Sequence, residues 1–248
     1  MDSRPEALTP RAEAKLVAPL WHSLGLLIIL LAISLGLLRM QGRGLAAGEQ
    51  HHGNVVVYIS VIASEWAMTF YVWPGGLIPG TMRLRDLVGG RWSNRREGLR
   101  DIALAIALWI AVTGVGILGG LVLRPHVEPL AFLSPRGVAE VVLWVVMSVT
   151  AGFCEELVYR GYLQKQFLAL TGNVAVAVLA QGVLFGVGHW YQGIKMVIII
   201  TLLGVLFGVF TYWRKSLRPG MIAHAWQDSI AGVMLWFLAR HPDFLPIK

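Results

Sequence analysis

The stretch "VAEVVLWVVMSVTAGFCEELVYRGYL", residues 138–163, decides how this chain is read. It opens as an apolar run long enough for a membrane helix. Then Glu155, Glu156, Tyr159 and Arg160 arrive within six positions. An ionisable group in an apolar helix is a functional candidate by default. Read as helix, Glu156 and Arg160 stand four apart on one face and can pair. Glu155 is turned about 100° away and is left without that arginine. Ala151 and Gly152, one turn earlier, leave room for a neighbouring helix, and Tyr159 follows one turn later on the face of Glu155. The two glutamates are expected to do different work. Glu156 is held by Arg160, and Glu155 is free for chemistry.

The rest of the chain fits a lipid environment. Of 248 residues, 56% are hydrophobic and only 14% charged, against about 25% charged in a soluble domain. The fold expected is an all-α, polytopic membrane bundle of about seven transmembrane helices. They fall near 19–38, 54–73, 101–123, 138–168, 173–190, 193–213 and 219–240. Residues 1–137 supply N-terminal helices and a basic loop, and residues 138–240 form the core from the last four helices. The fourth segment would be about 45 Å long against a hydrocarbon core of about 30 Å. Its polar end, "RGYLQKQF", is therefore expected to project into water. The first run resembles a signal peptide, but it is long, and Arg39 and Arg43 separate it from the small residues beyond. A retained helix is expected. The single cysteine, Cys154, allows no intrachain disulfide. Beside Glu155 it reads as a small buried hydrophobe rather than a nucleophile.

Basic residues fall unequally on the two sides of such a bundle. Fourteen lie toward one side: Arg4, Arg11 and Lys15; the six arginines of 83–100; Arg160 and Lys165; and Arg214, Lys215 and Arg218. Seven lie toward the other: Arg39, Arg43, Arg124, Arg136, Lys195, Arg240 and Lys248. The positive-inside rule puts the N-terminus in the cytoplasm and the C-terminus outside. The net charge of +7 follows from this bias, with the 74–100 loop near anionic lipid and no nucleic acid implied. Glycines at packing spacing (Gly116 and Gly120, Gly182 and Gly186, Gly204 and Gly208) predict close helix contacts.

The ionisable groups inside the apolar helices are Glu65, Glu155, Glu156, Arg160, His189, His224 and Asp228. "FGVGH" (185–189) puts Phe185 and His189 on one face. "HAWQD" (224–228) does the same for His224 and Asp228. Counting from the turns at 169–173 and 214–218, helical rise brings Glu155, His189, His224 and Asp228 to one depth. The site is expected below the cytoplasmic surface and open toward it.

Together these motifs resemble the CPBP family of intramembrane proteases, also called the CAAX protease and bacteriocin-processing, or ABI, family. "EELVYR" resembles its EExxxR motif, "FGVGH" its FxxxH motif, and "KSLRPGMIAHAWQD" its third segment with HxxxN or HxxxD. They stand in the family order on successive helices and cover about 138–235. The eukaryotic relative is the Ras-converting CAAX endopeptidase. The resemblance implies an intramembrane endopeptidase in which Glu155 and His189 activate water, while His224 and residue 228 form or orient the oxyanion site. Glu156, Arg160, Tyr159 and Phe185 would support them. An asparagine at 228 could donate directly to an oxyanion; an ionised Asp228 only accepts, and is expected to orient or charge His224. No cofactor is required on this reading. The partners are membrane lipids and a peptide or protein substrate, which a lipid modification would also suit. Glu155, His189 and His224 could instead bind zinc as two histidines and a carboxylate. A non-catalytic immunity factor or scaffold is a third reading. A proton-coupled transporter is a fourth, but no related halves are present.

Overall fold

The computed structural model describes residues 16–46, 54–73, 84–125 and 133–241. Within them all regular structure is helical. The rods are α1 (Leu20–Ala46), α2 (Val55–Val72), the short α3 (Leu84–Val88), α4 (Arg95–Leu123), α5 (Val138–Glu155), a π-helical segment (Glu156–Leu163), α6 (Gln164–Thr171), α7 (Val174–Gly188), α8 (Ile194–Arg214) and α9 (Arg218–Arg240). α5, the π segment and α6 form one continuous rod. Seven long rods therefore stand among the described residues, and five are long and apolar enough to cross a membrane. α7 is apolar but has only 15 residues. α9 has the length, at 23 residues, and carries His224 and Asp228. Large apolar side chains face outward, such as Ile28 on α1 and Ile110 and Leu121 on α4. Such a surface suits lipid, and the chain is a polytopic helical bundle.

Local chemistry sets the helix ends. Asn94 caps α4 by accepting from Glu97 N at 3.0 Å, and Glu97 Oε2 accepts from Ser93 N at 2.8 Å. This reciprocal cap starts α4 at Arg95, earlier than the apolar run implies. Asn173 caps α7 through Ala175 N and Val176 N. Gly172, at φ +63°, ends α6 in a left-handed conformation that glycine adopts without strain.

α5 lies against α9, α7 against α8, and α2 against α5. Small residues permit two of these contacts. A Cβ on Gly152 would stand 2.7 Å from Ala225 N and 2.8 Å from Met221 O on α9. One on Gly204 would stand 3.0 Å from Gly182 Cα. Gly116 and Gly120, expected to pack in the same way, face open space; Gly119 instead meets Ile199 of α8.

The polar tail of the fourth segment does not project into water. Tyr162 and Gln166 are fully buried and Gln164 nearly so. Gln166 accepts from Val17 N and Ala18 N and donates to Ala18 O. The Tyr162 hydroxyl lies 2.8 Å from His22 Nδ1 and 3.0 Å from Ser23 Oγ. Gln164 donates to Gly208 O at 3.0 Å, and Gln181 to Gly204 O at 2.9 Å. Each of these side chains thus makes at least one hydrogen bond within protein, while Gln164 Oε1 and Gln181 Oε1 are left without a partner. At the same end, Asp101 is fully buried and accepts hydrogen bonds from Arg214 Nη2 at 2.6 Å and Trp92 Nε1 at 2.9 Å, with Arg218 Nε paired by charge 2.9 Å from Oδ2. Among the described residues the basic end of the bundle is a tightly packed plug.

Candidate active site

The site is built where the plug ends. α5 delivers Glu155 and the π segment begins at Glu156. In that segment the backbone bonds reach five residues back, as from Gln164 N to Tyr159 O. π turns commonly mark functional positions.

Glu156 and Arg160 are both wholly buried, with Arg160 Nη1 3.0 Å from Glu156 Oε1. The contact is an ion pair by distance and not an aligned hydrogen bond, since Nη1 has no partner by angle. Arg160 Nη2 donates to Gly204 O at 3.3 Å. The guanidinium lies 4.3 Å above the Phe185 ring and 5.2 Å from that of Phe207, as cations favour aromatic faces. The same Glu156 Oε1 lies 3.1 Å from His224 Nδ1. Glu156 therefore serves two partners, which the expected split between the glutamates did not include.

His224 Nε2 points the other way, 3.4 Å from Glu155 Oε2 and 3.5 Å from Asp228 Oδ2. His189 follows the last residue of α7. Its Nδ1 lies 2.8 Å from Phe185 O. A carbonyl only accepts, so Nδ1 carries the proton. Nε2 is left facing Glu155 Oε1 at 4.0 Å. α7 is only about 22 Å long, so it stops short of a full crossing and leaves His189 at the level of Glu155. Tyr159 packs edge-on against Phe185, with ring centroids 5.0 Å apart. Of the expected site residues, Glu155, His189, His224 and Asp228 converge on one space, and Glu156, Arg160, Tyr159 and Phe185 pack behind or beside it.

Glu65 on α2 joins them. It is buried, lines the same cavity as Glu155, and its Oε2 has no partner. Its sequence signal was a lone carboxylate in an apolar helix; what it faces could not be read. Among the described residues, no group of three or more His, Cys, Asp or Glu side chains is arranged to hold a metal ion.

A cavity of about 290 Å³ opens above these groups. Its floor is Glu155, Phe207 and His224, and it runs out past Trp144, Met196 and Leu235 to Leu133, Tyr191 and Gln192. These last residues lie at the end of the bundle opposite the basic plug. The lining therefore extends toward the end of the bundle opposite the basic loops. The depth argument located the groups correctly relative to one another. It did not foresee that "RGYLQKQF" would be buried. A smaller chamber of about 60 Å³ lies toward α1, lined by Glu65, Tyr159 and Gly188 among others.

Fold and site thus define a polytopic membrane protein with carboxylates and imidazoles gathered at the floor of an internal cavity. Residues 137–230 match the family described as type II CAAX prenyl endopeptidase Rce1-like. This match supports assigning residues 137–230 to the CPBP, or CAAX protease, family, which is a family of proteases. No curated protein and no solved structure matches the chain.

Proposed function

We propose that the protein is an intramembrane endopeptidase that hydrolyses a peptide bond with water activated by Glu155 and His189, without a metal. The observation that carries this reading is the 4.0 Å gap between Glu155 Oε1 and His189 Nε2 at the cavity floor. It is too long for a direct hydrogen bond. One water bonded to both atoms spans about 4 to 4.6 Å. Glu155 takes a proton from that water while His189 Nε2 accepts its second hydrogen and aims the oxygen. The oxygen attacks the scissile carbonyl carbon. Negative charge then develops on the carbonyl oxygen.

His224 is the donor for that charge. Glu156 accepts from its Nδ1–H, and Nε2 faces two acceptors, Glu155 and Asp228, as an N–H would. Aimed at the carbonyl oxygen, the same N–H stabilises the tetrahedral intermediate. When the C–N bond breaks, the proton held by Glu155 passes to the leaving amine. Asp228, 39% exposed and 3.5 Å from Nε2, supports the charge on His224 and does not itself donate.

The test is mass spectrometry of peptides cleaved in lipid by the purified full chain and by Glu155→Gln. Products made by wild type and absent from the variant support the reading, and equal products from both reject it. Loss of activity to a chelator with rescue specific to zinc would replace the metal-free reading with the zinc alternative. A well-folded wild type that yields no product from any substrate would favour the scaffold.

A further inference from the structure

We infer that the small chamber between α1, α2 and the end of α7 is a water site, in which Glu65 holds the water that Glu155 and His189 consume. The use of that water rests on the peptidase reading above; its binding at Glu65 does not.

Three observations carry it. First, the chamber borders the reacting pair. Glu155 and His189 line it as well as the main cavity, and so does Glu65. Its remaining wall includes Leu30 and Ile33 of α1, Met68 of α2, Tyr159 and Gly188, whereas α8 and α9 line the main cavity and contribute nothing to it. Second, its size selects the occupant. At about 60 Å³ it exceeds the roughly 10–15 Å³ that one water needs. It falls far short of the about 300–1,000 Å³ of pockets that take larger ligands. Third, it contains a buried polar atom with nothing to bond. Glu65 is 5% exposed, and its Oε2 has no hydrogen-bond partner within the protein. Such an atom is costly when left unmet, and a buried water with two or more polar neighbours is the usual remedy. Glu155, His189 and Tyr159 supply the other neighbours. The Tyr159 hydroxyl lies over Gly188, where a Cβ would stand 3.1 Å from Oη. Leu30, Ile33 and Met68 offer no polar atom, so a water is confined to the side of Glu65 and Glu155.

The division into two chambers has a chemical use. Each peptide bond cleaved consumes one water. A substrate lying against Glu155 fills the main cavity and displaces water from it. Water held at Glu65 stays beside Glu155 and His189 while the substrate is bound. Glu65 acts through that water and is therefore a positioning residue. It stands on α2, outside the matched residues 137–230.

The test uses the full chain in lipid. A high-resolution structure of the wild type should show water density in the chamber within hydrogen-bonding distance of Glu65 Oε2, and Glu65→Leu should lose it. Glu65→Leu should also lower kcat at least about tenfold below Glu65→Gln, whose amide still bonds water, with KM within about threefold. Ile33→Phe alters a wall of the small chamber alone. Its ring takes the place of the water and should lower kcat by a similar factor, again without a change in KM. The same change at Ile28, which faces outward, should leave both constants as in wild type. Thermal unfolding in detergent shows which variants fold, and the Glu65 pair decides alone if Ile33→Phe does not. A dry chamber in wild type, or the same water density in Glu65→Leu, overturns the site. Equal kcat in Glu65→Leu and Glu65→Gln, or a loss confined to KM, overturns its part in hydrolysis. Failure of the peptidase reading is told apart by water density in a wild type that cleaves nothing.

Discussion

Glu156 is the residue whose two contacts can be separated by experiment. From the motif alone it should matter only through stability, as the partner of Arg160. The 3.1 Å contact between its Oε1 and His224 Nδ1 gives it a second role, positioning the oxyanion donor. Three variants distinguish them. Arg160→Met strands a carboxylate that has no exposed surface, at a cost of about 3–5 kcal/mol, but leaves the bond to His224. Glu156→Leu strands the guanidinium at a similar cost and removes that bond as well. In the double variant neither charge remains. Replacing a buried pair by apolar groups is often neutral, so stability should return to within about 1–2 kcal/mol of wild type. His224 still lacks its partner, and turnover per folded molecule should stay down by about 10²–10⁴-fold, the usual weight of one acid–base group. Arg160→Met alone should keep turnover within about tenfold once unfolded protein is discounted. The assay is thermal unfolding in detergent, paired with peptide turnover normalised to folded protein. Recovery of turnover together with stability in the double variant would refute the positioning role and leave Glu156 as a counterion only.

Glu155→Gln should leave the melting temperature within a few degrees of wild type while lowering turnover at least about 10³-fold, since His224 keeps Glu156 and Asp228 as partners; full turnover would show that Glu155 is not the base. His189→Ala should cost about 10²–10⁴-fold in kcat with an unchanged fold by circular dichroism, and a loss confined to KM would reject its part in aiming the water. Glu65→Gln should stay within about tenfold of wild type, whereas Glu65→Lys sets a cation against Glu155 and should cost at least about 100-fold in turnover; equal turnover in the two would remove Glu65 from the site. Gly152→Val puts a side chain against the backbone of α9, where a Cβ alone would stand 2.7 Å from Ala225 N. It should lower stability by about 1–3 kcal/mol, measured in detergent, and Gly116→Val, in open space, should not.

Much of the core was legible because membrane helices announce themselves twice, by apolar length and by the cost of each charge inside them. Helix number, the pairing of Glu156 with Arg160, and the meeting of Glu155, His189 and His224 all followed from spacing and rise. Three things did not. The cap at Asn94 extends α4 through "RREGLR", which reads as loop by polarity. The burial of "RGYLQKQF" depends on partners far away in sequence, the backbone of Val17 and Ala18 and the carbonyls of Gly204 and Gly208. Polarity could not reveal that these groups are satisfied inside protein. The approach of Glu65 to Glu155 needed the packing of α2 on α5, which no periodicity encodes.

The same burial explains why one helix accepts Glu155, Glu156 and Arg160 so close together. The boundary between the fully packed and cavity-lining parts of this rod passes between the two glutamates. Glu156 and Arg160 have no exposed surface and lie in the plug, while the Glu155 side chain keeps 11% exposure at the cavity floor. A regular α-helix would already point the adjacent carboxylates about 100° apart. The π turns start at this step and widen the helix where a guanidinium must fit between Phe185 and Phe207. Glu156 then bridges the boundary: one oxygen meets the cation behind it and the imidazole of His224 in front. The buried charge that would be a liability in lipid becomes the support that fixes which nitrogen of His224 faces the cavity. An ion pair placed one turn deeper would balance its own charge but could not reach His224. Its position at the floor ties the stability of this helix to the chemistry proposed above it.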